Sequence, residues 1–227
     1  MTAMFVTATG TDIGKTFVAC GMITELRARG RAVDALKPIV TGFDAQAAHI
    51  SDTGRLLAAL GRPLTPNEIA QVSPVRLRAP LSPDIAARIE GASIDFKALN
   101  TLCRNAISRR KDALIIEGIG GIMVPLDARH TVLDWMIEIG LPAILVAGSY
   151  VGTLSHTLSA LEVLARHKLK VAAVVVSETP GSAATLADTA DTIRRFAANV
   201  DVFALPRLPE GTHDHPVIAA IADLMCA

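Results

Sequence analysis

Phe5-Val6-Thr7-Ala8-Thr9-Gly10-Thr11-Asp12-Ile13-Gly14-Lys15-Thr16 is the stretch from which the rest of the chain can be read. An apolar, β-prone run from Met4 to Val6 leads through small residues into Gly14-Lys15-Thr16, and a helical pattern follows at once. Strand, small-residue loop, Gly-Lys-Thr and helix is the order a phosphate-binding loop requires. Backbone N–H groups and the helix N-terminus face an anion, the lysine reaches the outer phosphates, and the hydroxyl meets Mg²⁺. The first glycine of G-x-x-x-x-G-K-[ST] would fall at position 9, where Thr9 stands.

Outward from this loop, short apolar runs recur at Ala3–Thr7, Ala32–Lys37, Ala113–Glu117, Ala143–Ala147, Val171–Val176 and Asp201–Leu205. Most are continuous rather than alternating, which suits strands covered on both faces. Helical patterns separate them, at Thr16–Arg29, Thr53–Leu60, Pro83–Glu90, Phe96–Arg109, Thr131–Ile139, Leu154–His167 and Ala183–Ala198. The alternation predicts an α/β fold with a doubly wound, mostly parallel sheet of the phosphate-loop NTPase kind, and one domain over residues 1–227. Ligands in such sheets bind outside the carboxyl ends of the strands, so the residues there are the ones to inspect.

Composition narrows the function classes. Hydrophobic residues make up 51% of the 227 and charged residues 19%, a globular balance. Lys+Arg and Asp+Glu both number 22, so no basic field recruits nucleic acid and no polybasic segment recruits membrane. No apolar run reaches the roughly 18 residues of a membrane span, and Met1–Val6 is too short for a signal peptide. Cys20, Cys103 and Cys226 are too scattered for a disulfide framework or zinc knuckle, which points to a reducing cytoplasm. The histidines lack metal-ligand spacing, and His213-Asp214-His215 reads as a solvated loop.

At the strand ends, Pro38 biases Lys37 toward an extended conformation at the sheet's carboxyl edge, with Thr41-Gly42 just beyond. Ser51-Asp52 either caps the following helix or offers a carboxylate to a phosphate-bound Mg²⁺. Glu117 ends an apolar strand and precedes the glycine-rich Gly118-Ile119-Gly120-Gly121. An acidic residue there can hold Mg²⁺ directly or through water. Gly148-Ser149-Tyr150-Val151-Gly152-Thr153 precedes a helix whose N–H groups form an anion site, or else Thr153 is simply its N-cap. Ser177 and Pro206-Arg207-Leu208 follow two further strands and suit the lining of a nucleotide base.

Together these stretches, with Ala79-Pro80-Leu81-Ser82-Pro83 and Thr153-Leu154-Ser155-His156, resemble the dethiobiotin synthetase family from Phe5 to about Pro209. The resemblance implies an ATP-dependent cyclo-ligase that joins CO₂ to 7,8-diaminononanoate and closes a ureido ring, giving ADP and phosphate. It implies catalytic parts for Lys37, Lys15 and Thr11. ATP would be held by Asp12, Ile13, Gly14, Lys15, Thr16, Phe17, Glu117, Gly118, Gly120, Ser177, Pro206, Arg207 and Leu208. Mg²⁺ would be held by Thr16, Asp52 and Glu117. Substrate would contact Lys37, Thr41, Pro80, Val151, Gly152, Thr153 and Ser155, the last four from the other subunit of a homodimer. Departures from the family pattern are Ala8 for a loop glycine, Gly10 for aspartate, Asp12 for glutamate, Asp84 for histidine and Ser177 for an adenine-reading asparagine. A hydroxyl does not offer an amide's paired donor and acceptor, so relaxed base selectivity is expected.

Two rivals share the loop. A partitioning or positioning ATPase switch carries an extra lysine early in the loop, where this chain has Thr9 to Asp12, and it needs a DNA- or membrane-binding surface. An amidoligase of the cobyrinate type needs a glutaminase domain, which the residues after Leu205 do not supply.

Overall fold

The computed structural model describes residues 2–197, 199–209 and 211–226. In chain order the strands are β1 (Thr2–Ala8), β2 (Val33–Leu36), β3 (Ile39–Val40), β4 (Val75–Arg76), β5 (Ala113–Glu117), β6 (Ala143–Gly148), β7 (Val171–Ser177) and β8 (Asp201–Leu205). The helices are α1 (Lys15–Ala28), α2 (Asp52–Leu60), α3 (Pro66–Val72), α4 (Pro83–Ile89), α5 (Phe96–Arg109), α6 (Val132–Ile139), α7 (Thr153–Arg166), α8 (Leu186–Phe196) and α9 (Pro216–Asp223). Six strands form one sheet in the order β2-β5-β1-β6-β7-β8, with every pairing parallel. The α/β class and the doubly wound sheet expected from the sequence are what the chain forms.

Alternate residues of each central strand serve two separate cores. From β1, Met4, Val6 and Ala8 pack with Val18, Met22 and Leu26 of α1 and with Ile218 and Ile221 of α9. Ala3 and Phe5 face the opposite side, with Leu99, Trp135 and Leu164. The Phe5 and Trp135 rings meet edge to face at 4.8 Å, a favoured aromatic geometry. A strand buried on both sides has no polar face to show, which is why the runs read as continuous.

The elements missing from the sequence expectation are small or lie near the C-terminus. β3 and β4 have two residues each and pair in a second sheet, Ile39 with Val75 and Val40 with Arg76. α3 spans seven residues, capped by Thr65 with Pro66 at its first position. α9 follows the loop at 213–215 and had no counterpart in the sequence expectation. His215 caps it by accepting from the Val217 N–H at 3.2 Å, and a Cβ on Gly21 would lie 2.9 Å from Ile218, so α9 crosses α1 closely there. α8 begins later than expected because Thr185 caps it while Ser182 turns back to the Ser149 carbonyl. The expected end of that helix, Ala198, lies outside the described residues.

One close approach positions the site. Gly54, in the first turn of α2, faces the 3-10 turn Ala48–Ile50, and a Cβ there would sit 2.1 Å from the Ala48 carbonyl oxygen. Gly54→Ala forces backbone from backbone and should destabilise the protein by about 2–3 kcal/mol. Urea unfolding measures this, and a midpoint within error of the parent would refute the close contact.

Candidate active site

Gly14 gives the loop its turn. At φ 106° it occupies the left-handed region and forms the N-cap of α1 without a side-chain cap. The first amides of α1 are therefore left for an external acceptor. Lys15 folds back so that its Nζ donates to the Gly10 carbonyl at 2.8 Å. Burial and the nearby Lys37 lower its pKa to about 8. The Thr9 hydroxyl, at the missing-glycine position, is buried without a partner. Gly121 backs this point: a Cβ on it would meet the Thr9 carbonyl oxygen at 3.0 Å. Thr11 and Asp12 are exposed, Ile13 and Phe17 are half-buried, and Asp12 itself has φ 57°.

Beside the loop, two sequence-distant carboxylates meet on one lysine. Lys37, one residue past β2, is only 3% exposed at its side chain. Its Nζ donates to Glu117 Oε1 at 2.5 Å and to Asp52 Oδ2 at 2.8 Å. The Thr16 hydroxyl donates to the same Glu117 Oε1 at 2.7 Å. Burial opposes the charge on Lys37, but Glu117 and Asp52 outweigh it and raise its pKa above the ordinary value. Asp52 is held below the usual carboxylate value, burial opposing and Lys37 prevailing. Glu117 is pushed up by complete burial, with Lys37 pulling it down and Asp52 adding to the upward push. Ser51 caps α2 by accepting from the Gly54 N–H at 3.1 Å, so Ser51 is the cap and Asp52 is free to face Lys37. The capping reading holds for Ser51, while the Asp52 carboxylate is turned to Lys37.

This donor set fits a small hard cation. Thr16 offers a hydroxyl oxygen, Asp52 and Glu117 offer carboxylates, and Glu117 Oε2 is buried with no hydrogen-bond partner. Oxygen donors in small number are what Mg²⁺ takes when phosphates and water complete its shell.

Two further groups flank the cluster. The β3–β4 pairing, continued by Gly42 N–H to the Ala79 carbonyl at 3.1 Å, brings Thr41-Gly42 against Pro80. On the other side of β1, Ser177 at the end of β7 reaches the loop, its Oγ 3.0 Å from where a Gly14 Cβ would stand. Pro206–Leu208 follow β8, and the Arg207 N–H donates to Glu178 at 2.8 Å. Gly118 and Gly120 are buried beside Glu117.

At α7 the structure corrects one alternative. Thr153 is not the N-cap; Gly152 is, at φ 97° and without a side-chain cap, while Thr153 Oγ1 donates to the Gly148 carbonyl at 2.7 Å. Val151, Gly152 and Ser155 are exposed. Among the described residues no hydrogen bond or ion pair joins them to the Lys37 cluster. Residues 213–215 are the expected loop with Asp214 exposed, but the histidines are not fully solvated. His213 is half-buried with its ring 4.8 Å from that of Phe17, and His215 is a helix cap. Two histidines around one aspartate carry no pattern that would have announced this.

Comparison with known proteins now bears on these residues. A family model described as an AAA domain matches residues 2–214. The ATP-dependent dethiobiotin synthetase BioD of Phenylobacterium zucineum (strain HLK1) is 46% identical over 209 residues, covering 91% of this chain and 89% of that protein. Its counterpart in Caulobacter vibrioides (strain NA1000 / CB15N) is 48% identical over 208 residues, 91% and 93% of the two chains. The chain belongs to the dethiobiotin synthetase family. As a member it is an ATP-dependent cyclo-ligase of biotin synthesis. Solved structures carry the fold further than the family. The chain superposes on the MinC:MinD cell division protein complex of Aquifex aeolicus at TM-score 0.58 and 13% identity, covering 100% and 94% of the chains. A ParA family ATPase from Chlorobium tepidum TLS gives 0.57 at 13% identity, covering 97% of each. Those likenesses are of fold alone; dethiobiotin synthetase relatives decide against the switch reading. No helix among the described residues is long and apolar enough to cross a membrane.

Proposed function

We propose that residues 1–227 act as one ligase domain that carboxylates 7,8-diaminononanoate with CO₂ and closes the ring to dethiobiotin, with ATP converted to ADP and phosphate. The observation that carries this reading is Lys37, buried between Glu117 and Asp52 and sharing the Glu117 Oε1 acceptor with the loop's Thr16 hydroxyl. A free amine attacks CO₂ to give a carbamate. A carbamate oxygen attacks the γ-phosphorus, ADP leaves, and a carbamic-phosphoric anhydride forms. The second amine then attacks that carbonyl, phosphate leaves, and the cyclic urea results.

The phosphorylation step brings two anions together. At ~4 Å and an effective dielectric of ~20 their repulsion is about 4 kcal/mol. Lys15 and Lys37 offset it, the first at the phosphate loop and the second on the side of Thr41 and Pro80. Bound Mg²⁺, held by Thr16, Asp52 and Glu117, would add divalent charge at the outer phosphates. The loop amides from Thr11 to Phe17, with Gly118 and Gly120 close by, hold and align the phosphates, so positioning does most of the work. Ser177 and Pro206–Leu208 line the base. Ring closure is intramolecular and needs a bent diamine rather than a strong protein base. Val151, Gly152, Thr153 and Ser155 present an uncapped helix start to the substrate carboxylate of a neighbouring subunit. The exposure of Val151, 77%, leaves this helix start open to a partner and supports a homodimer.

The test is incubation with ATP, Mg²⁺, bicarbonate and the diamine. A cyclic urea mass appearing with ADP is the expected result. ATP hydrolysis unaffected by the diamine would sink the reading.

Lys15 sets a pH dependence. Its pKa of about 8 in the nucleotide-free protein lies below the usual lysine value, and phosphates favour the charged form. Above pH 8 the complex then holds more protons than the free protein, so binding takes up a proton and affinity falls with rising pH. The slope approaches about ten-fold per pH unit. Calorimetry at pH 9 in buffers of different ionisation enthalpy should give different heats; identical heats would exclude the linkage.

A further inference from the structure

The Lys37 ammonium stands where the carboxylates of a cation site converge. It contacts Glu117 Oε1 at 2.5 Å and Asp52 Oδ2 at 2.8 Å, and the Thr16 hydroxyl donates to that same Glu117 oxygen at 2.7 Å. The ammonium is nearly sealed, at 3% side-chain exposure, and Glu117 is completely buried. We propose that Lys37 serves, in the nucleotide-free protein, as an internal cation that keeps the divalent-metal site closed, so that metal enters only with nucleotide. This rests on the proposed holding of Mg²⁺ by Thr16, Asp52 and Glu117.

Charge counting supports the closure. Lys15, Lys37, Asp52 and Glu117 sit close enough to shift one another's ionisation, and the formal charges of these four cancel, with Asp12 acting only from the exposed loop. A free divalent cation therefore meets no net attraction and would have to share two carboxylates with an ammonium already bonded to both. A nucleoside triphosphate brings about four negative charges, which reverses the local sign and gives the metal a reason to stay. Burial argues that the ammonium is not in place by accident, because an unpaired Glu117 in that position would be strongly disfavoured. Glu117 Oε2, buried and without a partner, remains as an acceptor that the lysine does not use.

The exchange also orders the reaction. While Lys37 is bonded to Asp52 and Glu117, with the Gly118 carbonyl 3.4 Å away, its ammonium is engaged by the protein itself. Metal bound with nucleotide would draw Asp52 and Glu117 away from the ammonium and leave Lys37 available to the incoming carbamate. Lys37 is thus committed to substrate only when phosphate donor and metal are both present, which limits idle hydrolysis.

Mn²⁺ binding to nucleotide-free protein, read by electron paramagnetic resonance, tests this without turnover. Lys37→Met removes the charge, and Lys37→Gln removes it while leaving Glu117 a hydrogen-bond donor should the first variant fold poorly. Either variant should bind Mn²⁺ at least about ten-fold more tightly than the parent without nucleotide. The difference should shrink when a non-hydrolysable ATP analogue is added. Parent and variants binding alike without nucleotide would overturn the proposal, as would a parent that binds Mn²⁺ equally well with and without the analogue. Failure of the parent to bind Mn²⁺ even with the analogue would instead overturn the metal site itself.

Discussion

Lys37→Ala should lower kcat by at least about a thousand-fold while ATP still binds, because the about 4 kcal/mol of anion repulsion in phosphoryl transfer loses its main protein counter-charge. Nucleotide affinity should survive because the loop amides, the uncapped start of α1 and Lys15 do not depend on Lys37. The substitution has a second effect that must be separated from the first. Glu117 is completely buried and would be left with only the Thr16 hydroxyl, and stranding one partner of a buried pair typically costs 3–5 kcal/mol. Pairing the change with Glu117→Gln should recover part of that stability and none of the turnover. Product formation by mass, ATP binding by calorimetry and urea unfolding on the same preparations distinguish the two effects. Near-normal turnover by Lys37→Ala would remove the lysine from the chemistry.

Both effects trace to contacts that no local pattern could reveal. β5 and β8 were legible to the residue, since each is an apolar run ended by a residue of different character, Glu117 in one and Pro206 in the other. Lys37, Asp52 and Glu117 were each legible as strand-end or helix-start oddities, a lysine fixed by Pro38, an acid beside a capping serine, a carboxylate closing a buried strand. Their mutual distances were not. Lys37 and Glu117 are 80 residues apart, and only the β2–β5 pairing, Leu36 against Ile116, places the lysine next to that carboxylate. Two-residue strands such as β3 and β4 fall below any periodicity, so the pairing that sets Gly42 against Pro80 had no signal. α9 was hidden for a different reason. Its apolar run is short, and its cap is a histidine, a residue that cap preferences do not favour. Gly152 in place of Thr153 is the same lesson at α7: a threonine ahead of a helix suggested a cap, but its hydroxyl is taken by the Gly148 carbonyl.

Glu117→Gln should raise the Mg²⁺ concentration for half-maximal rate by about ten-fold or more and lower the maximal rate with it. The amide keeps nearly the size of the carboxylate, so its buried place at the end of β5 is preserved and the change is one of charge and hydrogen-bond polarity. Thr16 and Lys37 both donate to Oε1, so the amide oxygen must take that position to avoid facing donors with a donor. The amide NH₂ then falls where Oε2 was, the buried atom left without a partner. A lone pair open to a cation is thereby replaced by N–H groups that repel one. The loss of one negative charge also leaves Asp52 as the one carboxylate bonded to Lys37, and Asp52 is far more solvated, 41% exposed at its side chain. Lys37 should consequently become easier to displace, so the variant's remaining activity should lose the tight coupling between metal and nucleotide. A Mg²⁺ titration of the rate at saturating ATP measures the shift, and an unchanged titration curve would mean that Glu117 does not touch the metal.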